Sequence, residues 1–178
     1  MNAIKVPQPK ENLRRLILID IENFNGLAVQ SAAEAKWCKK MLTHWLSIKE
    51  GEIVIIASDM SGIFNVNKGW PGARFLMGKG IDGADHRLIQ EIERMNIGQF
   101  GEIALVSGDG IFADPVARAA EQGIPTTVYS HGLQLSKRLQ FAAAQVHLSE
   151  NDYTTAASTP IPMSARPNNA IQLNQEAA

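Results

Sequence analysis

Three apolar runs each end on an aspartate: "RLILID" at 15–20, "EIVIIASD" at 52–59 and "EIALVSGD" at 102–109. A run with no polar alternation suits a strand buried on both faces, which is the habit of a central parallel strand. Parallel neighbours need crossovers, and amphipathic segments of helical spacing lie between the runs. In "SAAEAKWCKKMLTHWLSI" (31–48), Ala33, Trp37, Cys38, Met41, Leu42, Trp45 and Leu46 share a stripe at 3–4 spacing, and Ser31 with Glu34 forms a capping box. "GADHRLIQEIERM" (83–95) places Ala84, Leu88, Ile92 and Met95 on one face. "FADPVARAAEQG" (112–123) is a short helix stopped by Gly123. "ARFLMG", "PTTVYS" and "AQVHLS" are weaker strands. Alternating strands and helices predict an α/β three-layer sandwich around a mainly parallel sheet.

The 178 residues are 45% hydrophobic and carry a formal charge of −1, which suits one domain with a substantial core and no broad basic field. Any nucleic-acid surface must therefore be local. The single cysteine, Cys38, excludes an internal disulfide and a cysteine-based zinc site. It reads as a small buried hydrophobe. No run is long enough to span a membrane and the N-terminus lacks an apolar signal core, so a cytoplasmic protein is expected. Residues 1–12 read as an extension and 13–150 as the domain. The proline-interrupted stretch from 151 to 178 reads as a flexible tail.

Ligands of open parallel sheets bind beyond the carboxyl ends of the strands. Asp20 and Asp109 end strands on that rim, and Asp82, Asp85 and Asp114 open helices there, with Asp59 ending another strand. Aspartate is also a favoured helix cap, so Asp82, Asp85, Asp109 and Asp114 each have a structural explanation. Asp20 has less of one, because Asn25-Gly26 follows and no helix is expected directly after it. Converging carboxylates repel one another, and a divalent cation relieves that repulsion. Mg2+ or Mn2+ takes such oxygen ligands, activates water and stabilises charge on a phosphodiester. Lys68, Arg74, Lys79, His86 and Arg87 surround the middle acids as candidate phosphate contacts or as ordinary surface. Trp70 suits either base stacking or loop packing, whereas Trp37 and Trp45 are expected in the core. Glu22 is a candidate extra ligand or base, with an exposed loop acid as the better reading.

"LILIDIENFNG", "KGIDGADHRLIQEI" and "ALVSGDGIFADPVARAAEQGIPTTVYS", in this order, resemble the PIN-like nucleases, and most closely their NYN subgroup, over roughly residues 13–150. The family's aspartate-x-x-asparagine falls on Asp20 and Asn23. Its "GAD"-like acid falls on Asp85, with Asp82 competing, and its Ser-Gly-Asp falls on Ser107, Gly108 and Asp109. The resemblance implies metal-dependent phosphodiester hydrolysis, usually of RNA, with DNA as the other substrate class. It implies Asp20, Asp85 and Asp109 as metal-binding and catalytic carboxylates. Asn23 and Ser107 would orient the carboxylates or the substrate, and Lys79 and Arg87 are the substrate-contact candidates. Many relatives carry a second acid two residues after the late aspartate. Here that position is Ile111, Phe112 fits, and Asp114 is the candidate replacement ligand. A non-catalytic nucleic-acid-binding or interaction module on the same fold is the alternative. A haloacid-dehalogenase-type phosphatase is a distant third, because Glu22 rather than a second aspartate lies two residues after Asp20. A homo-oligomer is compatible with either leading reading.

Overall fold

The computed structural model describes residues 13–149. The segments assigned above to an N-terminal extension (1–12) and a tail (151–178) lie outside them. Among the described residues, six strands form one sheet: β1 (Arg15–Asp20), β2 (Ile53–Ser58), β3 (Arg74–Met77), β4 (Glu102–Val106), β5 (Thr126–Ser130) and β6 (Gln145–Leu148). Their order is β3-β2-β1-β4-β5-β6, and every pair is parallel. The sheet expected to be mainly parallel is therefore wholly so among the described residues.

Among the described residues, the α-helices are α1 (Ile21–Asn25), α2 (Ala32–Trp45), α3 (Ile63–Gly69), α4 (Gly83–Arg94), α5 (Ala113–Glu121) and α6 (Lys137–Ala142). The period of two along β1 assigns them to layers. Leu16 and Leu18 pack with Ala84, Leu88 and Ile92 of α4, Val116 and Ala119 of α5 and Leu139 of α6. Ile17 and Ile19 face the opposite way, with Phe24 of α1, Ala35, Cys38 and Leu42 of α2 and Val66 of α3. This is a three-layer sandwich. Full burial of each such leucine or isoleucine contributes roughly 1.5–3 kcal/mol, so β1, with four consecutive fully buried apolar residues, anchors the molecule.

The chain winds outward from β1 to β3 through α1, α2 and α3. It then crosses back through α4 to β4 and winds outward again to β6. The direction reverses between β1 and β4. Such a switch point leaves a crevice at the carboxyl ends of its two strands, where Asp20 ends β1 and Ser107-Gly108-Asp109 follows β4.

Local differences from the expected elements have local causes. A helix does follow Asp20 directly. Asp20 is its N-cap, and Gly26, at φ 83°, closes it in the left-handed conformation. Asn25-Gly26 is thus the end of a single helical turn and a half rather than a barrier to one. The capping box at α2 is only half made. Ser31 accepts from the Glu34 N–H at 3.1 Å, while the Glu34 carboxylate turns to the Gln30 N–H and the Asn25 amide. α3 and α6 were not expected. Both are short and neither has a side-chain cap bond to mark its start.

Candidate functional site at the switch point

Asp20 is 5% exposed, the most enclosed acid in the sheet rim. Its Oδ1 accepts the Asn23 N–H at 3.1 Å, and its Oδ2 accepts the Ser107 hydroxyl at 3.1 Å. Burial pushes its carboxyl above the ordinary aspartate range, against the pull of those two donors. Asp85, in the first turn of α4, lies close enough to share a proton with Asp20. Partial burial, followed by the charges of Asp20 and Asp109, pushes the Asp85 carboxyl up to about 8. No lysine or arginine among the described residues forms an ion pair with Asp20, Asp85 or Asp109.

Two glycines allow this approach. A Cβ on Gly78 would collide with the Ala84 backbone nitrogen, so Gly78 lets the start of α4 sit against the end of β3 and carries Asp85 inward. A Cβ on Gly108 would lie 2.5 Å from the Gln134 carbonyl oxygen and the same distance from Ser130 Oγ. Gly108 therefore lets the loop after β5 close over the end of β4. Its N–H donates to Asn23 Oδ1 at 3.0 Å and its carbonyl accepts from the Ser136 N–H at 2.8 Å. Asn23 and Ser107 thus join the ends of β1 and β4: Ser107 bonds Asp20 and also accepts the Asp109 N–H at 3.2 Å.

The remaining candidates divide. Asp82 is exposed, holds a left-handed backbone at φ 53° and makes no side-chain cap bond, so Asp85 is the acid set against Asp20. Asp109 is exposed and caps the short 3-10 turn Gly110–Phe112, its Oδ1 accepting the Ile111 N–H at 3.0 Å. It therefore serves as a cap and as a charge felt by Asp20 and Asp85. Asp114 is engaged by Arg138 at 3.1 Å and is not among the principal groups acting on Asp20 or Asp85. Asp59 is tied into its own turn by Ser61 and Gly62. Lys68, Lys79, His86 and Arg87 are exposed, with Arg87 bonded to Gln90 at 3.1 Å. Arg74 is committed to Glu91 in a two-pronged ion pair.

Glu22 is not an exposed loop acid. It is half-buried in the first turn of α1, where its Oε1 accepts the Asp59 N–H at 2.6 Å and the Ser58 hydroxyl at 2.8 Å. Burial pushes its carboxyl up, and the Asp59 and Asp20 charges add to the effect. The signal for it was an acid two residues after a strand-end aspartate, inside what proves to be a helix. Trp70 is also settled: it is buried against the α2 side of the sheet and offers no face to a base. Trp37 and Trp45 are only partly buried and pack around Phe24.

Among the described residues, no three histidine, cysteine, aspartate or glutamate side chains stand as a ready metal cage. Nor is any helix there long and apolar enough to cross a membrane. No family model and no curated protein matches the chain. Among solved structures it resembles a protein of unknown function from Vibrio parahaemolyticus, with TM-score 0.53 and 19% identity, over 80% of this chain and 97% of that one. At that identity the likeness concerns the fold alone.

Proposed function

We propose that this chain is a metal-dependent nuclease of the PIN-like, NYN type that hydrolyses single-stranded RNA. The observation that carries the reading is the pairing of buried Asp20 with Asp85 at the switch point, with Asp109 nearby and no lysine or arginine among the described residues ion-paired to any of the three. Structural ion pairs do not leave like charges together, and strongly perturbed carboxylates in a crevice are functional-site candidates. The donor set is oxygen only, which suits Mg2+ or Mn2+. Such ions are commonly held by one or two carboxylates together with water and phosphate oxygens, without a full protein cage. Asp20 and Asp85 would hold the ion, with Asp109 at the solvent side. A bound ion there would lower the pKa of water and stabilise charge on the phosphodiester.

The chain's own residues have separate tasks. Asn23 and Ser107 fix Asp20 and the backbone at Gly108, so the carboxylates do not have to reorganise when substrate enters. Exposed Lys79 and Arg87 lie on the α4 side of the acids and provide phosphate contacts. The proposed place of action is the cytoplasm.

The test is hydrolysis of an end-labelled single-stranded RNA with Mg2+ or Mn2+. Chelation should stop it, and Asp109→Asn should reduce turnover by at least about a hundredfold without a change of fold. Activity equal to wild type in a clean Asp109→Asn preparation would overturn the reading. Two observations favour a non-catalytic RNA-binding module as the second reading: Ile111 stands where relatives carry an acid, and Asp114 is turned to Arg138. Tight RNA binding without hydrolysis in either metal would select it.

A further inference from the structure

Beside the carboxylates, a groove of about 640 Å3 is lined by Asn23, Asp109, Gly110, Gln134, Ser136 and Arg138, among other residues. Asn23, whose N–H bonds Asp20, and Asp109, whose charge acts on Asp20 and Asp85, both line it, so the groove adjoins the acidic site. The far wall comes from the segment between β5 and α6. It is held against the β4 end by the Ser136 N–H to Gly108 carbonyl bond, and a Cβ on Gly110 would lie 2.7 Å from Ser136 Oγ. The wall is polar, and Arg138 is the cation in this lining. Its only bonded partner among the described residues is Asp114, at 3.1 Å, and the two side chains are 71% and 72% exposed. A pair that exposed contributes little. A phosphodiester can therefore take the guanidinium without a large loss, and planar guanidinium matches phosphate oxygens in two-point contact.

We propose that this groove binds the phosphate adjacent to the scissile one in a single-stranded nucleic acid, with Arg138 as its anion partner. The inference rests on the nuclease reading of the neighbouring site. Asp114 then holds Arg138 until the phosphate takes the guanidinium, which accounts for an acid after the Ser-Gly-Asp motif that does not join the carboxylate pair. Gln134 and Ser136 supply neutral donors and acceptors along the same wall. Asn23 links the two subsites, because the side chain that fixes Gly108 also borders the groove.

Two substrates test this: an RNA of about ten nucleotides, long enough to give a single strand a run of phosphate contacts, and a dinucleoside monophosphate, which has no adjacent phosphate. With the longer RNA, Arg138→Gln should raise KM about tenfold with kcat little changed, and Arg138→Lys should restore part of the loss. The salt dependence of binding should weaken by about 0.7 in log–log slope, the value for one phosphate contact on a single strand. With the dinucleoside monophosphate, Arg138→Gln should match wild type. An equal effect on both substrates, or none on the longer one, would overturn the proposal. If wild type hydrolyses neither substrate, the nuclease reading fails, and equilibrium binding of the longer RNA decides the groove by itself. Binding about tenfold weaker in Arg138→Gln supports it, and unchanged binding overturns it.

Discussion

Asp85 is where the metal-free protein is least at ease. Its carboxyl is pushed up to about 8 by burial and by the Asp20 and Asp109 charges, while an aspartate in the unfolded chain titrates near about 4. Across that window the folded chain holds a proton that the unfolded chain has released. The stabilising contribution is complete below about pH 4 and is lost as pH rises through about 8. The melting temperature of wild type in chelator should therefore fall between about pH 5 and 8.5, and Asp85→Asn should flatten much of that slope. Mg2+ or Mn2+ should raise the wild-type melting temperature at the alkaline end by mass action, and raise that of Asp85→Asn far less. A mutant that keeps both the pH slope and the full metal shift would remove Asp85 from the site. Sequence alone left Asp82 and Asp85 as alternatives, because both fit the start of a helix. The choice depends on how α4 leans on β3 through Gly78, a long-range contact that leaves no local pattern.

Among the elements, α1 links structure to function most tightly. Five residues long, it is too short to persist unaided and is fixed by Asp20 at one end and Gly26 at the other. Asp20 is thus both a cap and a candidate metal ligand, and two substitutions separate the roles. Asparagine also caps helices, so Asp20→Asn should leave the melting temperature close to wild type in chelator while abolishing metal-dependent hydrolysis. Asp20→Ala loses the cap as well and should cost roughly 0.5–2 kcal/mol in denaturant unfolding. Equal stability losses in the two variants would mean that the charge of Asp20 holds the fold. The strands and the three longer helices were legible because burial on both faces and helical spacing are local properties of the sequence. The cap-and-glycine signature of α1 was present but hidden by its brevity. α3 and α6 carry no side-chain cap bond, and the groove beside α6 exists only because Gly108 admits the loop after β5.

Across the whole molecule, the order β3-β2-β1-β4-β5-β6 makes the site. The chain leaves the sheet in opposite directions after β1 and β4, so the loops that follow diverge and open a crevice where Asp20 and Ser107-Gly108-Asp109 meet. The alternation of strands and helices predicted the sandwich and the rim on which the acids lie. It did not predict that the glycines of the Ser-Gly-Asp-Gly stretch serve the approach of residues 134–136 rather than a turn alone. The central claim is that this crevice holds a divalent cation between Asp20 and Asp85. Its most direct measurement is the anomalous difference map of crystals of the full chain soaked in Mn2+ above about pH 8, where Asp85 has lost its proton. The account predicts a peak about 2.0–2.3 Å from oxygens of both carboxylates, the ordinary distance for a hard cation of this size. A map from well-soaked crystals with no peak between Asp20 and Asp85 would contradict it.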